Sequence, residues 1–157
     1  MAYLIHTNRK NLLQSIRQSM IRIPRYLKGA CDIHRVKNGE GIYFFDFENG
    51  RVYGPARSIS DSVVDEKNPR GGPFNGPENA ERHYHYMSLK VSCSSMFKRG
   101  VPVGETGIDP SSPSFHLSKG KESVLLERLR LNNREYVPLV VHIDMYGRDI
   151  RASVGGK

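Results

Sequence analysis

Few residues of this 157-residue chain have the types and spacing for chemistry. Asp46, Glu48, Asp61 and Asp65 fall in and after one short stretch, and a nuclease would gather such carboxylates around a divalent ion. Asp46 and Glu48 share one face of an expected strand, and a solvated sheet edge accounts for them more simply. His83 and His85 alternate along a strand-like run, so both point to one side, but no acid or cysteine is marked as a third metal ligand. The loop Gly104 to Asp109 (GETGID) carries two acids and two glycines without a supporting motif. There is no phosphate-cradling glycine loop followed by Lys and Ser/Thr, no dinucleotide fingerprint and no Gly-x-Ser-x-Gly elbow. Cys31 and Cys93 lie far apart in sequence, cannot build a zinc site alone and do not suggest a disulfide framework. They read as two reduced thiols of an intracellular protein. The expectation is therefore no catalytic residue, no metal and no cofactor.

Binding chemistry is better represented. Formal net charge is +8, and most of it sits between Arg9 and Lys37. That stretch holds Arg9, Lys10, Arg17, Arg22, Arg25, Lys28, Arg35 and Lys37 against the single acid Asp32, a balance of 8 − 1 = +7. The other 16 basic and 15 acidic residues nearly cancel. A cationic first quarter on a neutral body suits a partner with repeating negative charge, and nucleic acid is the commonest such partner. An anionic membrane surface and a merely solvated basic face are the rivals. Tyr26 lies inside the basic stretch, Phe74 in a later Gly/Pro-rich loop, and His83, Tyr84, His85 and Tyr86 follow that loop. Aromatic and imidazole faces near cations are what stacking on an exposed base needs. Arg9, Lys10, Arg17, Arg22, Arg25 and Lys28 are the candidate phosphate contacts, and Tyr26, His83, Tyr84 and Tyr86 the candidate base platform.

The elements that must position these residues follow from periodicity. Tyr3–Thr7 reads as a strand, and Asn8 stands where a helix N-cap belongs. Leu12, Leu13, Ile16 and Met20 recur at steps of three and four, which predicts a helix from Arg9 to Met20, ended by Pro24, with core packing on that stripe and arginines outward. Arg25 to Gly41 reads as a basic loop. Ile42 to Ser60 reads as a β-hairpin about a two-residue Asn49-Gly50 turn, with Gly54 marking a bulge or a close backbone approach. Asp65 to Glu81, with three Pro and three Gly, reads as a long loop, as does Phe97 to Phe115. His83 to Cys93 and Tyr136 to Gly147 read as strands. Ser118 to Leu131 reads as a helix with Ser118 as cap and Val124, Leu125 and Leu129 at helical spacing. Five or six strands with two or more flanking helices predict an α+β fold whose small twisted sheet closes into a barrel.

This order of elements resembles the PUA-like barrels and, within them, the YTH/EVE group of modified-base readers. YTH domains open with a strand and a helix bearing an Asn-Arg-Ser-Ile-Lys-like turn, and Gln14-Ser15-Ile16-Arg17 stands in the matching place. Gly54-Pro55-Ala56 is similar to the family's Gly-Val-Ala-like step after its hydrophobic hairpin, and Lys119-Gly120-Lys121 to its Lys-Gly-Lys helix start. The likeness covers Tyr3 to about Leu131. Methyladenine readers of the YTH type build a tryptophan cage, whereas this chain has no Trp and carries Met20-Ile21-Arg22 where the first cage residue would fall. The resemblance implies nucleic-acid binding, either with a base pocket of Tyr, Phe, His or aliphatic walls or with that pocket lost. It also implies a setting at the N-terminus of an McrB-like modification-dependent restriction protein, ahead of a GTP-driven motor.

The sequence reading is thus a single PUA-like (YTH/EVE-like) domain over residues 1–150, with 151–157 as linker or tail. It is a non-catalytic module that binds DNA or RNA, recognises a modified or flipped base, and is joined to further domains of a larger protein. No run of about 18 apolar residues and no secretory signal are present, so the expected location is cytoplasmic and away from membranes. Two alternatives stay open: a protein-interaction or regulatory domain, and a small metal-dependent nuclease.

Overall fold

The computed structural model describes residues 1–24, 33–59, 64–67, 85–111 and 115–133. The strands are β1 (Ala2–Thr7), β2 (Met20–Pro24), β3 (Gly41–Asp46), β4 (Arg51–Ser58), β5 (Val64–Lys67), β6 (His85–Ser92), β7 (Val101–Pro102) and β8 (His116–Leu117). The helices are α1 (Arg9–Gln18) and α2 (Lys119–Asn132), with short 3-10 turns at Ile33–Arg35 and Val103–Glu105. The fold is α+β. Its mixed eight-stranded sheet runs β2-β6-β4-β3-β1-β8, with β5 also paired to β6 and β7 to β4. β1 and β3 are parallel and the other pairs antiparallel.

The central strands carry apolar side chains on both faces. On β1, Tyr3 and Ile5 join one cluster while Ala2 and Leu4 join another; on β3, Ile42 and Phe44 divide from Tyr43 and Phe45 in the same way. The first cluster is filled by Leu12 and Ile16 of α1 and by Ile21, Ile23, Met87, Leu89 and Val91 of β2 and β6, so the sheet curls around it. The second is covered by Leu125 and Leu129 of α2 with Val101, Ile108 and Leu117. The expected closed barrel is therefore corrected: among the described residues the sheet is open, with β2 and β8 at the ends of its path and eight strands rather than five or six. Layers of helix and loop on both faces supply the burial that closure would otherwise provide. The expected strand at 136–147 lies outside the described residues, as does the tail at 151–157.

Several local expectations hold. Asn8 caps α1, its Oδ1 accepting the Asn11 N–H at 2.8 Å, and Ser118 caps α2 through Lys121 N–H at 3.2 Å. Gly54 does mark a bulge: the β3–β4 register slips between Ile42 and Phe44, where Gly54 has φ +142°. A Cβ there would lie 2.8 Å from Tyr43 Cδ2, so the close approach is real as well.

Others are corrected. α1 stops at Gln18 because Ser19 takes the left-handed conformation (φ 53°) and its N–H caps Ile16 and Ser15 carbonyls; Met20–Pro24 then forms β2, so Pro24 ends a strand and not the helix. The hairpin exists but its loop has four residues, because Asp46 pairs with Arg51 and only Gly50 of the Asn-Gly pair has positive φ (69°). Side chains build that turn: Asp46 Oδ1 accepts the Glu48 N–H and Asn49 Oδ1 the Arg51 N–H. Val64–Lys67 pairs with β6, so residues 65–67 of the expected long loop are strand, and the rest of that stretch lies outside the described residues. Of the strand expected from His83 to Cys93, His85–Ser92 forms β6, and His83 and Tyr84 lie outside the described residues. Val101–Pro102, within the second expected loop, pairs with β4. Val124 faces solvent at 47% exposure while Leu125 and Leu129 are buried.

Candidate nucleic-acid interface

α1 sets the geometry. Leu12, Ser15 and Ile16 are its buried positions, and at 100° per residue the opposite side carries Lys10 and Arg17. Both are exposed, and seven residues place them on one stripe about 10.5 Å apart. That is the rise of about three nucleotides along one strand. Neither has an ion-pair partner among the described residues. Arg9 lies on the flank of the same helix, half-buried, with its backbone N–H donating to Glu48 Oε1 at 2.8 Å. Arg22, half-buried on β2, faces away from the core because its neighbours Ile21 and Ile23 face into it; its Nη1 donates to Gln18 Oε1 at 2.8 Å. Four of the six expected phosphate contacts thus follow one continuous α1–β2 surface, and residues 9–24 contain no acid.

Arg25 and Lys28 lie outside the described residues, as do Tyr26, His83 and Tyr84 of the expected base platform. For Tyr86 the backbone is placed: in β6 it pairs with Pro24 on one side and Glu66 on the other. Lys67 pairs with His85. The ends of β2 and β5 and the start of β6 therefore sit side by side, where the chain enters the basic stretch and both enters and leaves the Gly/Pro-rich one. Tyr86 is two residues along β6 from Ser88, the register partner of Arg22. The topology thus brings Arg22 of the expected phosphate set within two residues of Tyr86 in register, while Arg9 and Lys10 lie at the start of α1, beside the hairpin tip.

Asp46 departs from the solvated edge expected of it while Glu48 keeps to it, and Asp61 lies outside the described residues. Asp46 is fully buried; its Oδ1 accepts the Glu48 N–H at 2.9 Å, and its Oδ2 has no hydrogen-bond partner among the described residues. Burial holds its carboxyl above the usual range; the Glu48 charge adds to this, and the N–H groups of Glu48 and Asn49 and the Arg9 charge oppose it. Glu48 is exposed at the hairpin tip and tied to α1 through Arg9. Among the described residues no three His, Cys, Asp or Glu side chains gather closely enough to hold a metal ion. Cys93 is a buried free thiol, pushed up to about 12 by desolvation, which makes it a packing group. No helix among the described residues is long and apolar enough to cross a membrane.

Phe47 carries no signal in the sequence. Its ring is 59% exposed, the only Phe or Tyr so exposed among the side chains described. Nothing in the alternation of the hairpin marks it; its exposure follows from its place in a four-residue loop.

No family model and no curated protein matches the chain. Among solved structures, the crystal structure of protein PSPTO5229 from Pseudomonas syringae is similar to it at a TM-score of 0.56 and 10% identity, over 82% of this chain and 99% of the other. An NMR structure from Rhodopseudomonas palustris aligns at a TM-score of 0.47 and 11% identity, over 83% of this chain and 93% of the other. The first likeness is one of fold.

Proposed function

We propose that this protein is a non-catalytic nucleic-acid-binding module of PUA-like, YTH/EVE-like type, which presents a modified or flipped base to its loop end and serves as the targeting domain of a larger restriction protein. The observation that carries the binding part is the exposed Lys10–Arg17 stripe on α1, which has no ion-pair partner among the described residues and lies next to Arg22 on β2. Unpaired cations on a rigid helix face gain more from phosphate than cations already held by carboxylates. The loop end supports the base-recognition part, because Pro24, Lys67 and His85 bring its flanking segments together.

The test is a binding panel of labelled single- and double-stranded DNA and RNA, each with and without methylated bases. At low salt the protein binds, and a methylated member binds best. Failure to bind any member ends the proposal. Equal binding to all members leaves a phosphate binder and removes the base-reader part.

A second reading has one observation of its own. Val124 and Leu131 lie 47% and 61% exposed on α2, flanking a shallow groove with Ser123, Glu127 and Arg128. An apolar stripe on a helix whose other face is already buried fits a protein-interaction role. That reading expects no oligonucleotide binding. A metal-dependent cleavage assay addresses the nuclease alternative.

A further inference from the structure

The hairpin tip between β3 and β4 holds an exposed aromatic ring on a turn that its own hydrogen bonds make rigid. Phe47 leaves most of its ring in water, yet its backbone is firmly held: its N–H donates to the Thr7 carbonyl at 3.1 Å. The loop around it is fixed by four more hydrogen bonds. Glu48 N–H goes to Asp46 Oδ1, Gly50 N–H to the Asp46 carbonyl, Arg51 N–H to Asn49 Oδ1, and Asn49 Nδ2 to the Tyr53 hydroxyl. One of these uses a buried carboxylate whose second oxygen has no hydrogen-bond partner among the described residues. An exposed aromatic on a rigid, partly unsatisfied scaffold is a preorganised contact surface. Next to it, one Glu48 oxygen is occupied by the Arg9 N–H, which leaves the other as an acceptor. Beside both is the α1 N-terminus, with exposed Lys10 and no acid in its first turn.

We propose that this tip reads an unpaired nucleobase that carries an exocyclic amine. Phe47 stacks on the base, the outer Glu48 oxygen accepts the amine proton, and Lys10 takes the flanking phosphate. The inference rests on the nucleic-acid reading above and names the bases preferred at this end of the α1 surface. Stacking on an aromatic side chain is tolerant of sequence, and the carboxylate supplies the choice, since cytosine and adenine offer an amine where thymine offers a carbonyl.

The test is fluorescence anisotropy with labelled single-stranded oligo(dC), oligo(dA) and oligo(dT) at low salt. The wild type is compared with Phe47→Ala, Phe47→Trp, Glu48→Gln and Lys10→Glu/Arg17→Glu. Phe47→Ala weakens binding to all three by roughly 5- to 150-fold, the range of one lost stacking contact, and Phe47→Trp restores it. The wild type favours dC and dA over dT by roughly tenfold. In Glu48→Gln, Oε1 stays on the Arg9 N–H, so an amide donor replaces the outer acceptor and the preference shifts toward dT. If Phe47→Ala binds like the wild type while the double charge reversal abolishes binding, the tip proposal is overturned and the nucleic-acid reading stands. If Glu48→Gln leaves the base preference unchanged, the assignment of the carboxylate is wrong. If the wild type binds no oligonucleotide, both readings fall.

Discussion

Removing Lys10 and Arg17 together should flatten the salt dependence of nucleic-acid binding by a calculable amount. Each phosphate neutralised by a cation contributes about 0.7 to 0.9 to the slope of log affinity against log salt. The four cations placed on the α1–β2 surface, Arg9, Lys10, Arg17 and Arg22, correspond to a slope of about −2.8 to −3.6. Between about 50 and about 200 mM salt that is a loss of roughly 50- to 150-fold. Lys10→Ala/Arg17→Ala should reduce the slope by about 1.4 to 1.8, leaving a loss of roughly 7- to 12-fold over the same range. Cations elsewhere in the chain would steepen both slopes and leave their difference unchanged. Because both residues are exposed, the double variant should stay within about 0.5 kcal/mol of wild-type stability per site, which a urea titration checks. Anisotropy titrations at four or five salt concentrations give the two slopes. Parallel lines for wild type and variant would refute the placement of nucleic acid along α1, whatever the absolute affinity.

Three further outcomes follow from the geometry. Burial favours protonated Asp46 in the folded state, so the native protein binds that proton more tightly than the unfolded chain, and this residue's contribution to stability falls as pH rises from the ordinary carboxylate range through the raised folded value. Asp46→Asn should therefore gain on the wild type between about pH 4 and neutrality; urea melts giving the same difference at both pH values would contradict it. In a Cys31→Ser background, Cys93 should resist a thiol reagent at pH 8 in buffer and react fully in denaturant, because its thiol is buried and held protonated; labelling of the native protein at a free-thiol rate would show that it is accessible. Gly54→Ala should cost about 2–4 kcal/mol, from the positive φ and the contact with Tyr43 together, and lower Tm by roughly 4–16 °C; an unchanged thermal melt would mean that the bulge relaxes freely.

What the sequence determined by itself was local. Asn8 and Ser118 satisfy orphan N–H groups of the turn that follows them, so each cap is readable three residues ahead. The Leu12–Ile16 step needs only 3.6-residue geometry to define an inner and an outer face, and that alone put Lys10 and Arg17 outward. Gly54 announced its bulge because a residue with a side chain does not fit there. Tertiary structure decided the rest. β1 and β3 are buried on every residue from Ala2 to Ile5 and from Gly41 to Asp46, so no alternation told their two faces apart, and nothing local distinguished a layered open sheet from a closed barrel. Met20–Pro24 became a strand because β6 offered it a partner, and Val64–Lys67 for the same reason. Asp46 lost its water, and Phe47 kept its own, through the packing of α1 and β1 against the hairpin. Exposure is a property of what neighbouring elements cover, and those elements meet only after the chain has crossed from β1 through α1 to β3.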